Sequence, residues 1–242
     1  MSIRKHIPNL FTLGNLFCGT LAAMAAVQSS YTFAAGLVVL GIVFDFFDGF
    51  LARLLGVQGE LGKQLDSLAD MVTSGVVPGL VMFRFYEDVM GTADLEVTHF
   101  LVILAFSSFL LTLGAAYRLA KFNIDTRQSD SFIGVPTPAM SLFVVSLPVI
   151  YEYGDLDFVN ELLTNAYVLV GISIAFTILM NANLPLISLK FKNFGVKENL
   201  FKYLLILASV VLLITLKFLA VPLIILTYIV LSIIHNMVAK KA

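Results

Sequence analysis

Residues 45–70, with the sequence DFFDGFLARLLGVQGELGKQLDSLAD, place four aspartates between apolar stretches of the chain. Asp45 and Asp48 are three residues apart, and Asp66 and Asp70 are four residues apart. On helices, either spacing puts both side chains of a pair on one face, with their Cβ atoms roughly 5–6 Å apart. Each pair therefore predicts two carboxylates that point in the same direction from one helix.

The connection between the two pairs, residues 54–63, contains Gly56, Gly59 and Gly62. These glycines allow the second helix to fold back against the first, so we expect the four carboxylates to converge. Without a partner, clustered carboxylates repel one another and resist ionisation. A divalent cation is the usual resolution, and oxygen ligands favour Mg²⁺, Mn²⁺ or Ca²⁺ over zinc. The sequence thus predicts a cation site where apolar helices meet the membrane surface.

The composition is that of a membrane protein. Of the 242 residues, 59% are hydrophobic and 13% are charged, whereas about a quarter of the residues in a soluble domain are charged. The apolar residues occur in blocks of about 20, the length of a bilayer-spanning helix. The net charge of −1 indicates no particular partner, and the single cysteine, Cys18, excludes an internal disulfide. We predict an all-α, polytopic protein with one integral membrane domain, residues 1–242.

The apolar blocks predict eight membrane helices. The block at residues 200–238 is too long for one span, and Lys217 and Pro222 indicate a tight reversal inside it. The first block ends in small residues and also fits a signal peptide cleaved near Ala25, although a first membrane helix is the favoured interpretation. The spans fall at about residues 8–27, 31–55, 65–86, 99–120, 137–153 and 166–186, with two more in 200–238.

The charges predict the orientation of these helices. Of the 15 basic residues, 13 fall on the side of the membrane that carries both termini and the aspartates. The two exceptions are Arg84 and Lys217. The loops of the opposite side carry mostly acidic residues. By the positive-inside rule, both termini and the aspartate motif face the cytoplasm.

The aspartate motif resembles a known signature. Its pattern, D-x2-D-G-x2-A-R-x8-G-x3-D-x3-D from Asp45 to Asp70, is similar at all eight specified positions to that of the CDP-alcohol phosphotransferases, membrane enzymes that make phospholipids. Charged residues at fixed spacing inside apolar helices are energetically costly, so the pattern is specific. The resemblance implies that Asp45, Asp48 and Asp66 ligate two divalent cations, Mg²⁺ or Mn²⁺. The resemblance also implies that Asp70 both helps to ligate the cations and acts as the general base.

The same resemblance implies a site for the CDP-linked donor. Small residues at two positions leave room for a nucleotide against the motif helix, and an arginine offers a planar fork for phosphate. The alternative interpretation of the glycines is ordinary turn or packing chemistry. Near the first basic segment, the Pro-Asn-x-x-Thr start resembles the segment that often lies beside the nucleotide, although its polar residues also suit helix capping. The predicted donor residues are Asn9, Thr12, Gly49, Ala52, Arg53 and Gly62.

Two later segments bear on the acceptor. Residues 117–123, YRLAKFN, and 134–139, GVPTPA, look like segments of the phosphatidylserine synthase branch, with Lys121 and Val135 as conservative departures. The carboxylate of an amino acid acceptor needs a cation, which Arg118 or Lys121 supplies. These residues equally suit the lipid phosphate, or merely follow the positive-inside rule. Asn123 either orients a ligand or ends the helix.

The resemblance implies transfer of a phosphatidyl group from CDP-diacylglycerol to L-serine. It also implies a six-helix catalytic core in residues 1–190, two additional helices in residues 199–238, and a homodimer in the lipid bilayer of the cytoplasmic membrane. Nucleic acid is not an expected partner. Two alternatives remain within the class, namely glycerol 3-phosphate and inositol phosphate as acceptors. An ion-coupled transporter or a membrane scaffold are the alternatives outside it, but the aspartates lie near a membrane face, where transporter carboxylates are less usual.

Overall fold

The computed structural model describes residues 6–124, 132–154, 156–188, 195 and 199–239, and nearly all of them are helical. The apolar blocks of the sequence form helices that pack as a bundle. The all-α prediction is confirmed, apart from one short strand pair. The helices are α1 (Ile7–Val27), α2 (Tyr31–Leu54), α3 (Glu60–Asp70), α4 (Val77–Met90), α5 (Phe100–Ala105), α6 (Phe109–Ile124), α7 (Thr137–Tyr153), α8 (Asp157–Leu163), α9 (Ala166–Asn181), α10 (Leu200–Leu216) and α11 (Ala220–Ala239).

Helices α1 and α2 pack along each other through small side chains. Ala22 and Ala26 of α1 and Ala34 of α2 are fully buried, and they form a cluster with Val38 and Val77. Small residues let helix backbones approach closely, which is a common way to join helices in a bilayer. This close pair brings the polar start of α1 alongside the aspartates of α2.

A π-helix, Met71–Val76, connects α3 to α4 within one continuous helical stretch. Pro78, in the first turn of α4, offers no N–H, and its ring would clash with the carbonyl four residues earlier in an α-helix. The wider π turn relieves this conflict directly after Asp70. Sequence reasoning predicted the span but not this local widening, which recurs at functional sites in other proteins.

The packing of α3 differs from our expectation. We predicted that it folds back against α2, whereas in the structure it packs mainly against α1. The connection that follows α2 is short, with Gly56 at φ +63° and α3 starting at Glu60. The two motif helices therefore approach each other through their carboxylates, with α1 between much of their length.

The second half of the bundle is held by a small strand pair that the sequence did not predict. Strand β1 (Phe132–Ile133) pairs antiparallel with β2 (Pro185–Leu186), and Gly134 follows with φ +74°. A Cβ at Gly134 would lie 2.9 Å from the carbonyl carbon of Met180. Only glycine combines this dihedral angle with so close an approach to the end of α9.

The predicted reversal in the last apolar block is present. Lys217, with φ +48°, begins a 3₁₀ turn at Lys217–Leu219 between α10 and α11. The rings of Phe201 and His235, from opposite ends of the block, have centroids 5.1 Å apart. The two helices therefore return along each other as a hairpin.

By length and hydropathy, five helical stretches of the described chain can cross a membrane. A sixth arises if α8 and α9, which are bent by 74°, form one broken span. The fifth stretch contains the whole α10–α11 hairpin, and α7, with 17 residues, is close to the minimum span length. An integral membrane protein is confirmed, while eight spans and the division at residue 190 stay predictions. Some residues used for the orientation lie outside the described part of the chain, namely Arg4, Lys5, Arg127, Asp155, Lys190, Lys192, Lys197, Lys240 and Lys241.

Candidate active site

Three of the four motif aspartates meet between α2 and α3. One carboxylate oxygen from each of Asp45, Asp48 and Asp66 lies within 4.8 Å of the others. Among the described residues, the buried Oδ1 of Asp66 has no hydrogen-bond partner. An unpaired, buried carboxylate oxygen beside two other carboxylates is the environment that a divalent cation satisfies. The side chains present therefore fit the predicted cation site.

The fourth aspartate, Asp70, stands beside this triad and has a different partner. Its Oδ1 accepts a hydrogen bond of 3.2 Å from the amide Nδ2 of Asn15 on α1. The expected convergence thus holds for three carboxylates as a compact set, with the fourth adjacent, one turn further along α3.

Helix α1 supplies the wall opposite the aspartates. Thr12 Oγ1 donates a hydrogen bond of 2.6 Å to Asp48 Oδ2 and also lies 3.3 Å from the Pro8 carbonyl. Asn9 and Thr12 lie inside α1, whose N-cap residue is His6. The capping interpretation of these two residues is therefore wrong. Thr12 instead donates to one oxygen of Asp48, which ties that carboxylate to α1.

A cavity of about 520 Å³ opens next to the triad. A Cβ at Gly62 would lie 3.5 Å from Asn9 Oδ1, and one at Gly49 would lie 3.4 Å from Arg53 Nη1, which are ordinary contact distances. Lys63 also lines the cavity, and sequence reasoning missed this residue although it lies within the quoted motif. All six predicted donor residues line the cavity together with two aspartates: Asn9, Thr12, Asp48, Gly49, Ala52, Arg53, Gly62 and Asp66.

The three predicted acceptor residues lie on α6 but do not converge. Arg118 is 8% exposed, and its Nη2 donates a hydrogen bond of 3.4 Å to the Gly134 carbonyl. Lys121 and Arg118 line a separate cavity of about 10 Å³. Asn123 Nδ2 donates to Ser67 Oγ over 2.8 Å, which ties the end of α6 to α3. Of the three, Arg118 is the one whose side chain is buried.

With this geometry in view, the chain can be compared with known proteins. The family model described as CDP-alcohol phosphatidyltransferase matches residues 5–180, a segment that contains every residue of the site. The chain belongs to the CDP-alcohol phosphatidyltransferase family. The match extends well beyond the aspartate motif, so it covers the α6 and α7 segments as well as the donor cavity.

Relatives of the chain include proteins whose names specify serine as the acceptor. The CDP-diacylglycerol–serine O-phosphatidyltransferase of Helicobacter pylori (strain J99) is 37% identical over 140 residues, 57% of this chain and 55% of the relative. The chain thus spans about half the length of that relative. A protein of the same name from Bacillus subtilis (strain 168) is 33% identical over 148 residues, 61% of this chain and 78% of the relative. The archaetidylserine synthase of Methanothermobacter thermautotrophicus is 26% identical over 171 residues, 69% of this chain and 65% of the relative.

Proposed function

We propose that this protein transfers the phosphatidyl group of CDP-diacylglycerol to the hydroxyl of L-serine, releasing CMP. The observation that carries the proposal is the aspartate triad at the rim of a cavity lined by all six predicted donor residues. The names of the relatives support serine as the acceptor. Family membership supports the CDP-linked donor.

The donor would lie in the cavity with its pyrophosphate at the triad. Gly49 and Ala52 leave the α2 surface flat enough for a nucleotide, and Arg53 offers its guanidinium to phosphate. Next to the aspartates, α2 also exposes Phe46, Phe47 and Phe50, which suits the acyl chains in the bilayer. The donor headgroup can thus reach the triad while its lipid tails stay in the membrane.

The triad residues Asp45, Asp48 and Asp66 would hold the divalent cations. Two cations, Mg²⁺ or Mn²⁺, neutralise a pyrophosphate and its leaving group during an in-line displacement. Asp70 lies outside the compact triad. Because it is separated from the three cation ligands, it is the carboxylate best suited to accept a proton. Arg118, which is buried, suits the carboxylate of serine.

In the proposed reaction the serine hydroxyl oxygen forms a bond to the β-phosphorus of CDP-diacylglycerol. The bond from that phosphorus to the bridging oxygen breaks, and CMP leaves with the bonding electron pair. Asp70 takes the hydroxyl proton as general base. The products, phosphatidylserine and CMP, balance the substrates without a further reactant.

Three further features belong to this proposal. The charge distribution supports a cytoplasmic active site and cytoplasmic termini in an inner membrane. The apolar blocks support eight spans, six in a core up to residue 190 and two in the C-terminal hairpin. The homodimer rests on the family resemblance alone, and crosslinking in native membranes tests it.

The decisive experiment measures CMP release by the purified protein with CDP-diacylglycerol and Mn²⁺ or Mg²⁺. We expect release that depends on L-serine and not on glycerol 3-phosphate or inositol phosphate. Asp45→Asn should abolish it, while Asp94→Asn, in an exposed position away from the cavity, serves as the matched control. Release with another alcohol would replace serine as the acceptor, and no release under any condition would favour transport or scaffolding.

Chelation tests the cation requirement in the same assay. EDTA should stop CMP release, because uncompensated carboxylates cannot accommodate the donor pyrophosphate. Added Mn²⁺ or Mg²⁺ should restore it. Full activity after exhaustive chelation would contradict the carboxylate-cluster mechanism.

A further inference from the structure

Asn15 is a polar residue of α1 that the proposed mechanism does not yet use. It lies three residues after Thr12 on the helix and is 0% exposed. Its Nδ2 is 3.2 Å from Asp70 Oδ1, to which it donates a hydrogen bond. A fully buried amide that contacts the proposed base calls for a reason beyond packing, since a leucine of similar size would fill the space without polar atoms.

The orientation of this amide is fixed by its surroundings. With the amide reversed, its oxygen would face the Asp70 carboxylate, which has no proton to offer when ionised. In the orientation observed, Asn15 Oδ1 is buried and has no hydrogen-bond partner among the described residues. The amide thus donates a hydrogen bond to Asp70 although its own oxygen has no partner among the described residues. Of the two ends of the amide, the site therefore satisfies the one that contacts Asp70.

Two neighbouring helices hold Asn15 in this position. Thr73 Oγ1, in the π-helix, donates to the Asn15 main-chain carbonyl over 3.1 Å. On α2, a Cβ at Gly41 would lie 2.9 Å from Asn15 Oδ1 and 2.8 Å from Thr73 Cγ2. A side chain at Gly41 would therefore force the Asn15 amide or the Thr73 side chain to shift where α1, α2 and the π-helix meet.

We infer that Asn15 is a positioning residue that holds Asp70 in the orientation needed to receive the acceptor's proton. Its hydrogen bond occupies Asp70 Oδ1, so Oδ2 would be the oxygen that receives the proton. Gly41 gives the amide the space to do so. This inference rests on the proposed function, because it assigns Asn15 to the base of that reaction.

The first test is Asn15→Leu, which keeps the volume and removes the donor. We expect kcat for serine-dependent CMP release to fall roughly 10-fold to 100-fold, as for other residues that orient a reacting group. The KM values for donor and serine should stay close to wild type, because Asn15 does not line the cavity. A purely structural role would lower the yield of folded protein and leave kcat per folded enzyme unchanged.

The second test is Gly41→Ala, which crowds the Asn15 amide without changing its chemistry. It should reproduce the kcat loss of Asn15→Leu. Gly36→Ala is the matched control on the same helix, since a Cβ there meets nothing within 4 Å, and it should behave as wild type. Unchanged kcat per folded enzyme in Asn15→Leu or in Gly41→Ala, or a rise in donor KM that matches the loss of kcat, would overturn the inference. Absence of serine-dependent release in the wild type would instead refute the proposed function.

Discussion

At the scale of single residues, four identical side chains acquire different chemistry from their partners. Asp48 receives a hydrogen bond from Thr12, and Asp70 receives one from Asn15. Asp66 keeps a buried oxygen without a partner among the described residues. Spacing along the helices predicts that the carboxylates meet, but α1 determines which oxygens remain available. The division between cation ligands and base is therefore a tertiary property.

Substitution of Asp70 and of Asp48 should have distinguishable effects. We expect Asp70→Asn to lower CMP release at least about 100-fold, the contribution of a general base, with binding of CDP-diacylglycerol retained. Asp48→Asn should weaken donor binding as well, because it removes a member of the triad. Donor binding measured on the purified variants separates the two effects. Equal losses of donor binding would make Asp70 chiefly a cation ligand.

Arg118 should act on the acceptor more than on the donor. It is buried and does not line the cavity beside the aspartate triad. We expect Arg118→Ala to raise the KM for serine roughly 10-fold to 100-fold, which corresponds to the about 1.5–3 kcal/mol of a hydrogen bond to a charged group. Lys121→Ala, on the same helix, provides the comparison. Equal increases in both KM values would reassign Arg118 to the lipid phosphate.

At the scale of elements, the sequence predicted helices better than it predicted their contacts. Hydropathy located the helical blocks, and Lys217 located the reversal between α10 and α11, because length and local backbone preference decide both. The π-helix at Met71–Val76 was missed, since a π turn has no apolar period of its own. The β1–β2 pair was also missed because each strand has only two residues.

The site shows the same division between local and tertiary information. The grouping of the six predicted donor residues could be anticipated because a fixed motif and the start of α1 contain them, and all six line one cavity. The contact between Asn15 and Asp70 could not be predicted, since 55 residues separate the two and only the packing of α3 against α1 joins them. Asn15 shares the face of Asn9 and Thr12, which was the one available signal.

The turn before α7 is an element on which the fold depends. Gly134 combines φ +74° with close contact to the end of α9. Gly134→Ala should therefore lower the thermal unfolding temperature in detergent more than Gly91→Ala does. Gly91 has φ +62° but no atom within 4 Å of an added Cβ, so its substitution costs only the about 1–2 kcal/mol of the left-handed backbone. Equal shifts for both variants would show that the contact with Met180 is easily relaxed.

At the scale of the whole molecule, the chain separates its polar chemistry from its lipid-facing surface. The aspartates and the donor cavity lie at one end of α1 and α2. Arg84, Glu87 and Asp88 form ion pairs near the far end of α4. The C-terminal hairpin contributes little to the buried core, since only 11% of its most apolar 18-residue segment is buried in the bundle. A bundle with polar ends and an exposed apolar middle fits a bilayer with one end in each aqueous compartment.

The orientation predicted from the basic residues can be tested with single cysteines. Cys18, the one native cysteine, is buried and can be replaced by alanine to remove background. Gln58 and Ala93 are exposed, in the connections after α2 and α4 respectively. The positive-inside rule places the first connection in the cytoplasm and the second outside. An impermeant maleimide should therefore label Ala93→Cys in right-side-out vesicles and Gln58→Cys in inside-out vesicles. The reverse pattern would put the aspartate site on the outer face, where a cytoplasmic nucleotide-linked donor cannot reach it.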